Sequence, residues 1–97
     1  MGTIKKQIDA VVYGFVQGVS FRYYTQREAN RLGVVGWAAN QPDGTVRVAA
    51  QGTEAELNKL LEFLHRGSPF ARVERVKVAW TEPAEQFTGF HIRYYSS

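Results

Sequence analysis

Val34-Val-Gly-Trp-Ala-Ala-Asn40-Gln-Pro-Asp-Gly44-Thr-Val-Arg-Val-Ala-Ala-Gln51 sets two β-rich runs on either side of Gln41-Pro42-Asp43-Gly44. Proline presets one turn torsion, aspartate bonds the backbone ahead of it, and glycine accepts torsions closed to other residues. The stretch is therefore predicted as a hairpin, with strands over Val34 to Asn40 and Thr45 to Gln51. On each side of it the pattern turns helical. Upstream, Phe21, Thr25, Ala29 and Leu32 share one face among Arg, Gln and Glu, with Ser20 placed to cap the start and Gly33 to close the end. Downstream, Thr53-Glu-Ala-Glu56 is a capping box, followed by a stripe of Leu57, Leu60, Leu61 and Leu64 that runs out at His65-Arg66-Gly67.

Beyond the helices lie further strands. Ile4 to Tyr13 is β-rich, with Ile8, Ala10 and Val12 on one side of the alternation. Val73 to Trp80 alternates with Val76, Val78 and Trp80 together, and Phe90, Ile92 and Tyr94 mark a last short strand after a loop at Thr81 to Gln86. The order is β-α-β-β-α-β plus a C-terminal strand. That order defines an α+β class, a ferredoxin-like two-layer sandwich, expected as an antiparallel sheet with two helices on one face. No repeat or linker interrupts it, so residues 1–97 are read as a single domain. If the first strand runs up, the first helix returns down and the second strand runs up again. The loop at 14–20, Asn40 and the end of the last strand are thereby expected at one rim.

Composition narrows what that rim does. Twelve basic against nine acidic residues leave a net charge of +3, too small for a polyanion-binding footprint. The chain has no cysteine, which excludes disulfides, thiolate nucleophiles, iron–sulfur clusters and cysteine zinc sites. His65 and His91 match no metal motif, so neither a metal nor any other cofactor is expected. No apolar run is long enough for a membrane span, and Met1-Gly-Thr-Ile-Lys-Lys-Gln7 has no signal-peptide core. Gly2 hints at myristoylation, but Lys6 stands where that motif needs Ser or Thr. A soluble, cytoplasmic monomer is expected.

Gly14-Phe-Val-Gln-Gly18-Val-Ser20 is a glycine-punctuated loop leading into a helix, the setting in which successive backbone N–H groups converge on an anion. Arg22 follows in the first helical turn, where a cation opposes the helix dipole. An anion held between loop and guanidinium resolves that conflict. On these residues alone the stretch reads more readily as a tight turn beside a solvated arginine, since it lacks the lysine of a P-loop and dinucleotide spacing. Asn40 reads two ways as well: as the start of a turn, or as a carboxamide that donates to and accepts from one water and so aims it. His65 suits a helix C-terminus, and His91 falls out of phase with Phe90, Ile92 and Tyr94; both read as structural. Ser20, Asp43 and Glu56 read as cap and turn residues.

Gly14-Phe-Val-Gln-Gly-Val-Ser-Phe-Arg22 resembles the first signature of acylphosphatases, G-x-V-Q-G-V-x-F-R. Gly36-Trp-Ala-Ala-Asn40-Gln-Pro-Asp-Gly44-Thr-Val46, continuing to Gly52, resembles the second, and the likeness runs from Ile8 to Phe90-His-Ile-Arg-Tyr94. The resemblance implies hydrolysis of the carboxyl–phosphate bond of small-molecule acyl phosphates, with no metal and no phosphoenzyme. Arg22 would hold the phosphoryl group, together with the amides of Val16, Gln17, Gly18 and Val19, and Asn40 would orient water. Inorganic phosphate would be both product and competitive ligand. The chain departs from the family pattern in three respects. Phe15 and Ala39 stand where the family often has basic residues, which lowers the charge of the rim. Tyr95, Ser96 and Ser97 follow the tyrosine at which family chains often end with a carboxylate near the arginine.

Two other readings compete. RNA-recognition modules share the strand and helix order but stack bases on aromatics of the first and third strands. Strand three here offers Thr45, Arg47, Ala49 and Gln51, so no nucleic acid partner is expected. A non-catalytic anion sensor on the same fold would bind phosphate without turnover. A cleft that grips only the phosphoryl group is also expected to impose little selectivity on the acyl group.

Overall fold

In the computed structural model, which describes residues 5–95 with Tyr95 by its backbone only, alternating apolar residues and glycine-marked turns produce seven elements. They are β1 (Lys6–Phe15), α1 (Phe21–Leu32), β2 (Val35–Asn40), β3 (Val46–Gly52), α2 (Glu54–Arg66), β4 (Arg72–Thr81) and β5 (Phe90–Tyr95). Gly2, Ser96 and Ser97, on which sequence readings rested, lie outside the described residues.

The sheet order is β4-β1-β3-β2-β5. Both helices lie on one face, and the core is the interdigitation of that face with them. Ile8, Ala10 and Val12 of β1 and Val46, Val48 and Ala50 of β3 meet Phe21 and Ala29 of α1 and Leu57, Leu60 and Leu64 of α2. Thr25 joins that face and satisfies its hydroxyl by donating to Phe21 O at 2.8 Å, as a buried helical threonine must. Phe63 is buried as well, 6.3 Å ring to ring from Phe21. The leucine stripe hid it, because it sits at the stripe's margin.

One expectation is corrected. The sheet is mixed: β2 pairs with β5 in parallel, Trp37 opposite His91 and Ala38 opposite Ile92. The chain leaves β4 at one edge and reaches the far edge by crossing the open face through residues 82–89. It therefore emerges running the same way as β2. Gln51, 2% exposed, holds that crossing: its Nε2 donates to Glu85 O and Gln7 Oε1, and its Oε1 accepts from Phe87 N at 3.0 Å. On the same face Trp37 packs with Ala39, Ala49 and Phe87, and the guanidiniums of Arg47 and Arg93 lie 5.5 and 4.5 Å from its ring centre. The open face is thus capped by side chains and a strap.

Two smaller differences concern element ends. Ser20 does not cap α1 with its side chain: its backbone is left-handed (φ 61°), and only its carbonyl takes part, accepting from Tyr24 N at 3.1 Å. Val78 and Trp80 do face one side of β4, but on this edge strand they are 36% and 44% exposed. The capping box forms as expected, with Glu56 N donating to Thr53 Oγ1 at 3.1 Å and Thr53 N to Glu56 Oε1 at 2.9 Å.

Candidate active site

Strand directions decide what meets at the upper rim. β1 ends there in the 16–20 loop, β2 ends in Asn40, β3 begins after Thr45, β5 ends at Tyr95, and β4 begins after the 67–71 turn. At Gly14 the β1–β4 register shifts and φ reaches +129°. A Cβ there would lie 2.1 Å from Arg72 O, so only glycine lets β1 turn into the loop while staying paired. Gly18 (φ 75°) and Ser20 (φ 61°) then turn the loop through left-handed backbone. Ser20 is the one non-glycine residue with positive φ among the described residues, at a cost of about 1–3 kcal/mol.

The result is a cleft of about 360 Å³, lined by Val16, Gly18, Ser20, Phe21, Arg22, Tyr23, Asn40 and Ile92. Of the residues singled out from sequence, Val16, Gly18, Arg22 and Asn40 meet in it. The side chains of Gln17 and Val19 do not line it. Gln17 turns the other way, and its Nε2 donates to Gln41 O and to Thr45 O, both at 2.8 Å. The loop after β1 is thereby tied to the turn that carries Asn40. Val19 faces a neighbouring cleft, and its carbonyl accepts from Ser68 Oγ at 2.7 Å. Among the described residues no carboxylate or imidazole lines the main cleft, and no three His, Asp or Glu side chains gather to hold a metal.

Arg22 is held from outside α1. Its Nη1 donates to Arg93 O at 2.5 Å, and its guanidinium lies 5.6 Å from the Tyr94 ring centre. A backbone carbonyl of β5 and an aromatic face support it. Among the described residues the bond to Arg93 O is its one hydrogen bond, which leaves four guanidinium N–H groups. The turn beyond Asn40 is set by Asp43, whose Oδ1 accepts from Thr45 N at 3.0 Å and Thr45 Oγ1 at 2.6 Å. The Thr45 hydroxyl and amide hold the Asp43 carboxyl below its ordinary pKa. Asn40 itself is half-buried. Its Oδ1 is buried and has no hydrogen-bond partner among the described residues, an uncommon state for a buried amide oxygen.

The acylphosphatase family model matches residues 8–92, which span both the loop after β1 and the hairpin. The chain belongs to the acylphosphatase family. The acylphosphatase of Salinibacter ruber is 46% identical over 89 residues, covering 92% of this chain and 94% of that protein. That of Thermococcus kodakarensis is 48% identical over 81 residues, covering 84% and 88%. The crystal structure of acylphosphatase from Bacillus subtilis superposes with a TM-score of 0.89 at 38% identity, over 92% of this chain and 99% of that one. Among the described residues no helix is long and apolar enough to cross a membrane.

Two site features escaped the reading of the sequence. The side-chain ties of Gln17 and Ser68 to the rim reach across 24 and 49 residues, and no local pattern announces such pairs. The support of Arg22 by the Arg93 carbonyl was hidden for another reason: a backbone acceptor has no residue type to read.

Proposed function

We propose that this acylphosphatase-family chain hydrolyses the carboxyl–phosphate bond of acyl phosphates by direct attack of a water oriented by Asn40, without a metal. Arg22 and the backbone amides of Val16, Gln17, Gly18 and Val19 hold the phosphoryl group. One observation carries the reading. Asn40 and Arg22 line the same cleft, so a carboxamide able to hold a water shares it with a donor fork for phosphate oxygens.

The chemistry asks for little more. The water oxygen bonds to phosphorus as the bond to the carboxyl oxygen breaks, and the bonding pair leaves with the carboxylate. Both water hydrogens end on the product, so an acyl phosphate dianion and water give a carboxylate and dihydrogen phosphate. A carboxylate is a weak base and departs without a strong general acid. Phosphoryl transfer is then mainly positioning and charge stabilisation, which an arginine, converging amides and a water-aiming carboxamide supply. Inorganic phosphate fits the same cradle and is expected as product and competitive inhibitor. The enzyme acts as one domain over residues 1–97, as a cytoplasmic monomer.

Phosphate release from benzoyl phosphate in EDTA tests the reading, with Arg22→Gln and Asn40→Ala compared to wild type. Each folded variant is expected to lose about 100-fold or more in kcat, the scale of removing one oriented transition-state donor. Full turnover by folded Asn40→Ala would remove the water-orienting role. Loss of wild-type turnover in EDTA would remove metal independence.

A further inference from the structure

In-line transfer has a direction, and the sheet order supplies it. The loop after β1 lies between Asn40, at the end of β2, and the 67–71 turn that leads into β4. A water aimed from the Asn40 side expels its leaving group toward the opposite side, over the Gly18–Ser20 tip. A second cleft of about 310 Å³ opens there, lined by Gly18, Val19, Ser20, Tyr24, Pro69 and Phe70. It shares Gly18 and Ser20 with the main cleft, so the loop tip is the ridge between them.

This second cleft is apolar and fixed in place. Ser68, 3% exposed, donates to Val19 O, and Ala71 N donates to Ser68 O at 3.0 Å, locking the 68–71 turn onto the phosphate loop. Tyr24 is held at its far side by the Arg27 guanidinium, 5.6 Å from the ring centre, and by the edge of Tyr23. Phe70 stands 80% exposed beside them. A lone exposed phenylalanine needs no explanation, but one grouped with a tyrosine, a proline and a valine around a cleft against the phosphate loop does.

We infer that this cleft is the acyl subsite and selects acyl phosphates with aryl or extended apolar acyl groups, a reading that rests on the hydrolysis proposed above. The phosphoryl group sits in the main cleft and the carbonyl crosses the ridge. The apolar remainder of the acyl group packs on Val19, Pro69, Tyr24 and Phe70. A two-carbon acyl group ends at the ridge and gains none of that contact.

The test is the ratio of kcat/KM for benzoyl phosphate to that for acetyl phosphate, in wild type, Phe70→Ala and Phe70→Leu. Because Phe70 is largely in water, both variants are expected to keep the fold, checked by circular dichroism. Phe70→Ala is expected to lower the ratio by about 5- to 10-fold, the scale of one aromatic contact, and Phe70→Leu to restore much of it. An unchanged ratio, or equal losses on both substrates, would overturn the subsite while leaving the hydrolysis reading standing. Absence of wild-type turnover on either substrate would overturn both.

Discussion

Ser20 shows most directly how the site departs from the fold's own preferences. A serine in left-handed backbone at the start of α1, making no side-chain cap, contributes nothing to the helix that an ordinary cap would not do better. Its torsions instead help turn the loop around the cleft. Ser20→Gly is therefore expected to raise stability, by up to about 1 kcal/mol in urea unfolding, because glycine adopts φ 61° without the Cβ penalty. A lower stability would mean that the serine hydroxyl does more for the loop than its geometry indicates. Asn40 is the complementary case, where a buried side-chain oxygen finds no donor among the described residues. In sequence Ser20 is legible as a helix cap and Asn40 as the start of a turn. The left-handed torsion of one and the orphaned acceptor of the other are not, since both arise only in the folded chain.

Among the elements, the β2–β3 hairpin has a pH dependence of its own. Asp43 is held below its ordinary pKa by Thr45, so the unfolded chain takes up its proton first as pH falls. The carboxylate's contribution to the turn is complete above its unfolded value of about 4 and is lost as pH drops through the lower folded value. Asp43→Asn keeps an acceptor but no charge. Its melting temperature should fall short of wild type by most at neutral pH, with the gap closing below about pH 4. A gap that stays constant with pH would show that the charge is not what holds the turn. Glu28 is likewise held low, by the Arg31 hydrogen bond on α1, and it contributes an acid sensitivity that this variant leaves in place. The hairpin's chemistry was the most readable part of the chain, because Gln41-Pro42-Asp43-Gly44 encodes its turn locally. What it carries depends on Gln17, a residue on a different element.

Over the whole molecule, the edge strand β5 couples the open face to the rim that carries Arg22. Gln51, inside β3, anchors the strap through Glu85 and Phe87, and the strap delivers β5, whose Arg93 carbonyl holds Arg22. Gln51→Ala leaves the Phe87 N–H and the Glu85 carbonyl without that partner and should cost about 1–3 kcal/mol of stability. If β5 shifts with its strap, KM for acyl phosphate should rise in the same variant. Stability lost with KM unmoved would show that β5 holds its register by pairing with β2 alone.

Local chemistry determined much of this protein from sequence: the helices through their apolar spacing, the capping box through Thr53 and Glu56, the hairpin through its turn. The signatures around Gly14–Arg22 and Gly36–Val46 pointed to the family and to Arg22 and Asn40 for the same reason, being short and contiguous. Tertiary structure alone decided that β5 joins parallel to β2, that Gln17 and Ser68 lock the loop from two sides, and that a backbone carbonyl supports Arg22. It also placed a second, largely apolar cleft beside the first, sharing Gly18 and Ser20 with it. Each of these joins residues far apart in the chain, and the energy that selects such a pairing is released only when the sheet brings them into contact.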